Sequence, residues 1–355
     1  MLLSISIPQK LSLPHLKRKT YCLGMLFGFS SLFTACGPQQ LQEESAPSNT
    51  PEGMVWIPGG TFQQGAVAQD EMALAHEKPS HSVKVEGFFI DLTEVTNVQF
   101  AEFVEATNYI TLAERPIDWE VMKRELPEGT PKPHDSILQP GSLTFQKVPK
   151  SDFIDLNDYS QWWKWTLGAN WRQPNGVGSS IKGKENYPVV HIAYEDAEAY
   201  CKWKGRRLPT EAEWEFAARA NKNTIFTWGN SIRQLYKNAN TWEGQFPMHN
   251  LLTDGFENAA PVHSYPPNAF GLFDMSGNVW EWTSDCYTTN YSQKVKKSTC
   301  CGKKNQCIIE EKVIKGGSFL CNASYCASYR ISARMNAEVN SSAQHIGFRT
   351  VMNRK

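Results

Sequence analysis

Gly316-Gly317-Ser318-Phe319-Leu320-Cys321-Asn322-Ala323-Ser324-Tyr325-Cys326 is the stretch around which the chain is organised. Its paired glycines let backbone segments approach closely, and two cysteines separated by four residues follow them. The stretch is too polar and irregular for ordinary core, so it reads as a loop that carries chemistry. Tyr329-Arg330, Arg334 and the tail Ile346-Gly347-Phe348-Arg349 come soon after. The 12 Trp and 20 Pro among 355 residues point the same way, to a domain of loops packed on aromatic side chains with few long regular elements.

Towards the N-terminus the local signals are clearer. Met54-Val55-Trp56-Ile57 before Pro58-Gly59-Gly60 predicts a strand and turn, and His81 to Glu86 alternates in the strand manner. Thr96 with Gln99 fits a capping box opening a helix whose face is Phe100, Phe103 and Val104. Pro188-Val189-Val190-His191-Ile192 predicts a short apolar strand, and Glu195 to Lys204 a helix stopped by Gly205. Thr210 with Glu213 opens a further helix with Trp214, Ala217 and Ala218 as its buried face; Glu211, Glu213 and Glu215 are expected on its solvated side. The run Gly178 to Lys184 nearly spells a phosphate-binding loop, but Glu185 stands where Ser or Thr would reach a metal and no apolar strand precedes it. It is read as a surface loop.

Lysine plus arginine and aspartate plus glutamate balance at 36 each, so no overall field favours nucleic acid or an anionic membrane. Lys10, Lys17, Arg18 and Lys19 precede a mostly apolar run of 15 residues, Tyr21 to Ala35, shorter than the roughly 20 needed to cross a bilayer. Followed by Cys36, residues 1–35 resemble a bacterial lipoprotein signal peptide in which Cys36 is lipidated. Residues 36–52, polar and rich in Pro, Ser and Gln, are expected to form a flexible tether. The remainder, 53–352, is expected to be a single compact domain of α+β class, exported to the periplasm or cell envelope and held to a membrane only by the lipid. In such a compartment close cysteines default to disulfides.

The order of motifs along this domain is distinctive. Met54–Phe62 (MVWIPGGTF), Glu94-Val95-Thr96-Asn97, Gly205–Glu215 (GRRLPTEAEWE), Trp228-Gly229-Asn230, Gly271–Trp282 (GLFDMSGNVWEW), Gly316-Gly317-Ser318 and Gly347-Phe348-Arg349 closely resemble the formylglycine-generating enzyme (sulfatase-modifying factor) family over nearly all of residues 53–351. Cys321 and Cys326 match the two cysteines of its active members. The resemblance implies oxidation of a cysteine in a Cys-x-Pro-x-Arg motif of an unfolded sulfatase to Cα-formylglycine, with dioxygen and copper. Cuprous copper is soft and prefers thiolates, so a facing pair of cysteines can hold it with room for a third sulfur. Ser318 is then a polar contact to oxygen or substrate, and Trp280, Tyr325, Arg330 and Arg334 are substrate-binding candidates; buried ion pairs would explain the two arginines equally well. Two oxygen-rich sets match structural calcium sites: Asn240, Thr241, Asp254 and Phe256, and Asp274, Gly277, Val279 and Glu281.

The chain also departs from the family pattern. Cys201 matches a cysteine whose partner position is here Thr350, and a second bridge is replaced by Ala217 and Ile331, so both bridges are expected to be absent. Cys286, Cys300, Cys301 and Cys307 lie in or beside a Lys-rich insertion at about 287–311, and their pairing cannot be read from spacing. Taken alone, Cys321 and Cys326 would read as a disulfide; an exchange catalyst would want C-x-x-C spacing. The rival to the enzyme is a non-catalytic, lipid-anchored module using the fold for protein binding. An iron-dependent sulfoxide synthase would want clustered histidines, and the eight here are scattered.

Overall fold

The computed structural model describes residues 47, 49–124, 126–149, 154–291 and 311–354. Strand Met54–Ile57 pairs antiparallel with Phe88–Asp91, whose other edge takes Val351–Asn353. The first and last strands of the domain thus close on one central strand. A second sheet has the order Met335–Glu338, Glu311–Lys315, Trp280–Cys286, Ile346–Gly347, with only the last pair parallel. Two-stranded ribbons at Gly60–Gln64 with His81–Val85, and Gly141–Phe145 with Trp163–Leu167, flank these sheets in the chain. Helices and strands are segregated rather than alternating, as an α+β domain requires. Cys36, residues 1–35 and residues 292–310 of the insertion lie outside the described residues.

Capping chemistry sets the helix ends. Thr96 accepts from the Gln99 amide while Gln99 returns a bond to the Thr96 N–H at 2.9 Å, opening helix Asn97–Thr107. Helix Tyr194–Lys204 stops at Gly205, whose φ of +69° is the left-handed conformation that glycine adopts without penalty. Thr210 and Glu213 form the box that opens Glu211–Arg219. Trp214, Ala217 and Ala218 of that helix are buried with Ile57, Phe88, Ile90 and Val351, so the helix lies against the three-stranded sheet.

Two sequence expectations need correction. Residues 188–192 are buried but are not a strand: beyond one bridge from Pro188 to Thr96, the Val189 amide bonds to Val95 and the His191 amide to Ala343. The segment threads between two neighbours, so it pairs in register with neither. Glu211 and Glu215 are not solvated but fully buried. Glu211 takes Arg334 and the Tyr291 hydroxyl, and Glu215 takes Lys315, Arg219 and the Gly65 amide. Their helix is covered on the side that period alone assigns to water, and besides Arg219, one turn away on the same helix, the cations that neutralise them, Arg334 and Lys315, come from far along the chain.

Arg330 is the clearest case of such pairing. Its guanidinium, fully buried, bonds Asp70 at 2.8 Å and both oxygens of Glu77 at 2.6 and 2.7 Å. Removing one partner of a buried pair strands a charge, at a cost of about 3–5 kcal/mol. Glu77→Ala is therefore expected to lower stability in urea unfolding by that order, whereas Glu86→Ala, which breaks the exposed pair with Lys84, should change it by less than about 1 kcal/mol.

Candidate active site

Ser318 makes the turn on which the cysteine loop is built. Its carbonyl accepts the Cys321 amide at 2.9 Å, its own amide donates to Cys321 Sγ at 3.4 Å, and its Oγ accepts the Leu320 amide at 3.3 Å. Asn322 then organises the second half. Its carbonyl receives the amides of Tyr325, Cys326 and Ala327 at 3.0 Å, and its side chain donates to Trp242 and Gly244 carbonyls. The four residues between the cysteines thus curl into a turn, which returns Cys326 to Cys321.

The two thiols face each other. Burial pushes the Cys321 thiol well up, and it keeps its proton by donating it to the Cys326 sulfur; that bond holds Cys326 below its ordinary value. Cys321 is buried and Cys326 partly exposed, and both carry free thiols. The pair therefore has an inner sulfur and an outer one that ionises first and can be reached. Tyr325 forms one border, stacked on Phe246 at 4.7 Å and edge-on to Trp162 at 5.7 Å. Trp280 is buried in the core cluster that also contains Cys321 and Tyr329.

Arg330 and Arg334 do not serve as free cations at the sulfur pair. Arg330 is spent on Asp70, Glu77 and the Ala327 carbonyl, and Arg334 on Glu211 and the carbonyls of His76 and Thr288. The geometry favours the ion-pair account over a substrate contact for both.

The two oxygen-rich sets are joined by Asn278, which the sequence reading did not single out. Its Oδ1 accepts from Asn240 Nδ2 and from the Ala260 amide, while its Nδ2 donates to Glu94. Its backbone connects Asn240 to Phe319, and so ties both sets to the cysteine loop. In the first set Asp254 accepts the amides of Thr241 and Phe256, and Asn240 Oδ1 is buried without a partner among the described residues. In the second, Asp274 Oδ2 accepts the His263 amide and Oδ1 has no partner among the described residues; burial pushes its carboxyl up to about 6. Glu281 is clasped by Arg349. Glu94, also missed, lies beside Asp274 with Oε2 unpartnered among the described residues; burial first, and Asp274 next, push it well above the carboxylate range. Its signal was present in Glu94-Val95-Thr96-Asn97, read only as a marker. Among the described residues no three His, Cys, Asp or Glu side chains converge as a metal cluster. A cation at either set would depend on amide and carbonyl oxygens as well.

A cleft of about 440 Å³ opens among Leu112, Val121, Leu143, Trp165, Asn340 and Ser342. The segment that carries Asn340 and Ser342 continues to His345, whose carbonyl accepts the Trp280 amide. Asp196 fixes the opposite wall by accepting the Tyr109 hydroxyl and the Leu112 amide, both at 3.0 Å.

Residues 39–354 match the sulfatase-modifying factor enzyme 1-like domain. The chain belongs to that family. It is 41% identical over 303 residues to a formylglycine-generating enzyme of Mycobacterium tuberculosis, covering 84% of this chain and 97% of that one. To the enzyme of that name from Thermomonospora curvata it is 40% identical over 307 residues, covering 86% and 94%. A bovine relative named an inactive Cα-formylglycine-generating enzyme 2 is 35% identical over 300 residues, covering 83% and 86%. Among solved structures, PvdO of Pseudomonas aeruginosa superposes with a TM-score of 0.55 at 24% identity, over 85% of this chain and 94% of that one, which shows the shared fold.

The departures from the family's pattern are visible in this chain. Cys201 is free and buried, and Thr350 donates through its hydroxyl to Asp91, which also takes Arg206 at 2.6 Å. Ala217 and Ile331 share one apolar cluster. A polar network and plain packing therefore occupy those places.

Gly317 holds the loop closed. Its φ is +76°, and a Cβ there would meet the Ser328 carbonyl carbon and oxygen and the Tyr329 nitrogen at 2.8 Å, all of them backbone. Gly317→Ala is expected to cost on the order of 1–3 kcal/mol from the backbone conformation alone and to part the two sulfurs. Thiol titration of the folded variant should show Cys321 reacting as fast as Cys326; slow Cys321 with unchanged stability would contradict this account.

Proposed function

We propose that this protein oxidises a peptidyl cysteine to Cα-formylglycine, in a Cys-x-Pro-x-Arg motif of an unfolded sulfatase, with dioxygen as electron acceptor and Cu(I) at Cys321 and Cys326. The observation that carries the proposal is the facing pair of free sulfurs, one buried and one reachable. Identity alone would not decide it, since a relative named inactive shares 35%.

The donor set fits Cu(I): two free cysteine sulfurs are coupled to each other, and soft sulfur donors are those this ion prefers. Bound copper supplies thiolate affinity and electron transfer to dioxygen. The chain's own residues supply the rest. Ser318 and Asn322 fix the loop, so the sulfurs need no reorganisation to receive a substrate thiol. Cys326, the sulfur with the lower proton affinity, is the side from which the substrate thiol approaches. Tyr325, on its aromatic stack, borders that approach, and the cleft beside Leu143 and Trp165 suits an extended peptide. In the reaction the substrate's CH2–SH gives up two electrons and becomes the aldehyde, its sulfur leaving as hydrogen sulfide. An external thiol, oxidised to its disulfide, gives the other two electrons that dioxygen needs, and one oxygen atom leaves as water.

Calcium at both oxygen-rich sets completes the reading. The Asn240 and Asp274 oxygens that lack a partner among the described residues are hard donors in buried places, where a cation would offset the desolvation of the nearby carboxylates. Export by residues 1–35 and a lipid on Cys36 would place the enzyme at the cell envelope. Among the described residues no helix is long and apolar enough to cross a membrane.

Copper-loaded protein, from Gly53 onward, is expected to form aldehyde on a synthetic Cys-x-Pro-x-Arg peptide in air with a thiol reductant present. Cys321→Ser and Cys326→Ser should each lose at least about 100-fold, because the two sulfurs act as a unit. Mass spectrometry showing no aldehyde, together with no copper binding, would favour a protein-binding module. For calcium, saturation at about 100 times Kd should add about 2.7 kcal/mol per site. Calorimetry should show the transition falling on chelation, and Asp254→Ala and Asp274→Ala each losing part of the recovery; a transition indifferent to calcium would end that part of the reading.

A further inference from the structure

Tyr329 is fully buried, yet its hydroxyl has no hydrogen-bond partner among the described residues. A phenol in the interior normally finds one, because leaving the group unpaired forfeits the bonds it made to water. The ring belongs to the same buried cluster as Cys321, Trp280 and Ala327, with Cys326 packed against that cluster, and it lies 6.0 Å from the Phe226 ring. Charge on either sulfur raises the Tyr329 phenol further above its ordinary value, beyond the effect of burial, which places the ring within electrostatic reach of both.

The backbone gives this side chain no freedom to find a partner elsewhere. On one side the Tyr329 nitrogen and the Ser328 carbonyl stand so close to Gly317 that a single added carbon would not fit. On the other, Arg330 is locked by Asp70, Glu77 and the Ala327 carbonyl, and the Ile331 amide is bonded to Ile225. A donor without a partner among the described residues, held this firmly in the cluster that contains Cys321 and packs Cys326, is arranged for a group that arrives later.

We propose that the Tyr329 hydroxyl donates a hydrogen bond to the substrate's cysteine sulfur once that sulfur has joined Cys321 and Cys326. Tyr329 thereby positions the peptide thiol and contributes nothing to holding the metal. This rests on the reading of the site as a copper pair that admits a third sulfur. It differs from Ser318, whose hydroxyl already accepts the Leu320 amide, and from Tyr325, which borders the site as an aromatic wall.

The test compares wild type with Tyr329→Phe, which removes one oxygen and keeps the ring. Because that oxygen has no partner among the described residues, the variant is expected to be at least as stable as wild type in thermal unfolding. Anaerobic Cu(I) affinity, measured by chelator competition, should stay within about twofold. Affinity of the copper-loaded protein for a Cys-x-Pro-x-Arg peptide, measured anaerobically, should fall about three- to tenfold, the range of one hydrogen bond. The same peptide with serine in place of cysteine should bind both proteins equally. Unchanged cysteine-peptide affinity, a parallel loss of copper affinity, or an equal loss for the serine peptide would each overturn the proposal. So would a copper-loaded wild type that fails to bind the cysteine peptide. Aldehyde formation in air by wild type reports separately on the oxidation itself: a wild type that binds the peptide and makes no aldehyde contradicts that reaction, while the binding difference still decides the role of Tyr329. Tyr329→Leu, with Phe226 left intact, serves as a second variant with the same expected binding pattern at lower stability, because it also removes buried ring volume.

Discussion

The Arg349–Glu281 pair is the contact on which the architecture depends most. Arg349 follows the short parallel strand Ile346–Gly347, and Glu281 lies in the strand beside it. The guanidinium bonds both Glu281 oxygens at 2.6 and 2.8 Å, and its remaining donors reach the carbonyls of Asp91, Leu92 and Phe273. Glu281 in turn accepts the Trp214 indole N–H from helix Glu211–Arg219. One buried ion pair therefore links the two sheets, the helix between them and the turn that carries Asp274.

The same device recurs because the fold is mostly loop. Backbone carbonyls that belong to no ladder or helix must still be paired when buried. Arg330 supplies the Ala327 carbonyl, Arg334 those of His76 and Thr288, and Arg219 that of Gly65. Each of these arginines is itself neutralised by a buried carboxylate, which avoids an isolated charge in low dielectric. Irregular segments are thus pinned by side chains where a regular domain would use secondary structure. The consequence for the site is rigidity: the cysteine loop, Gly317 and Tyr329 are held from several directions, and two sulfurs can face each other without being bonded.

Much of this was legible in the linear chain wherever the deciding interaction is local. The capping boxes at Thr96 and Thr210, the glycine stop at Gly205, and the turn nature of Gly316 to Cys326 depend on residues within a few positions of one another. The serial order of motifs carried the family and hence the fold. Where reading failed, the cause lay at long range. Residues 188–192 looked like a strand because their composition is apolar, but their hydrogen bonds go to two separate neighbours. Glu211 and Glu215 looked solvated because helical period cannot show that Arg334 and Lys315 will close over them.

The sequence by itself determined the helix starts at Thr96 and Thr210, the stop at Gly205, the loop character of the site, its two cysteines and the family, since each rests on short spacing or on motif order. Only the tertiary structure decided which charges are buried, that Asn278 joins the two oxygen-rich sets, that Arg330 and Arg334 are committed to carboxylates, and that the Tyr329 hydroxyl lacks a partner among the described residues. Those outcomes depend on groups far apart in the chain, such as Glu77 with Arg330, whose meeting no local pattern encodes.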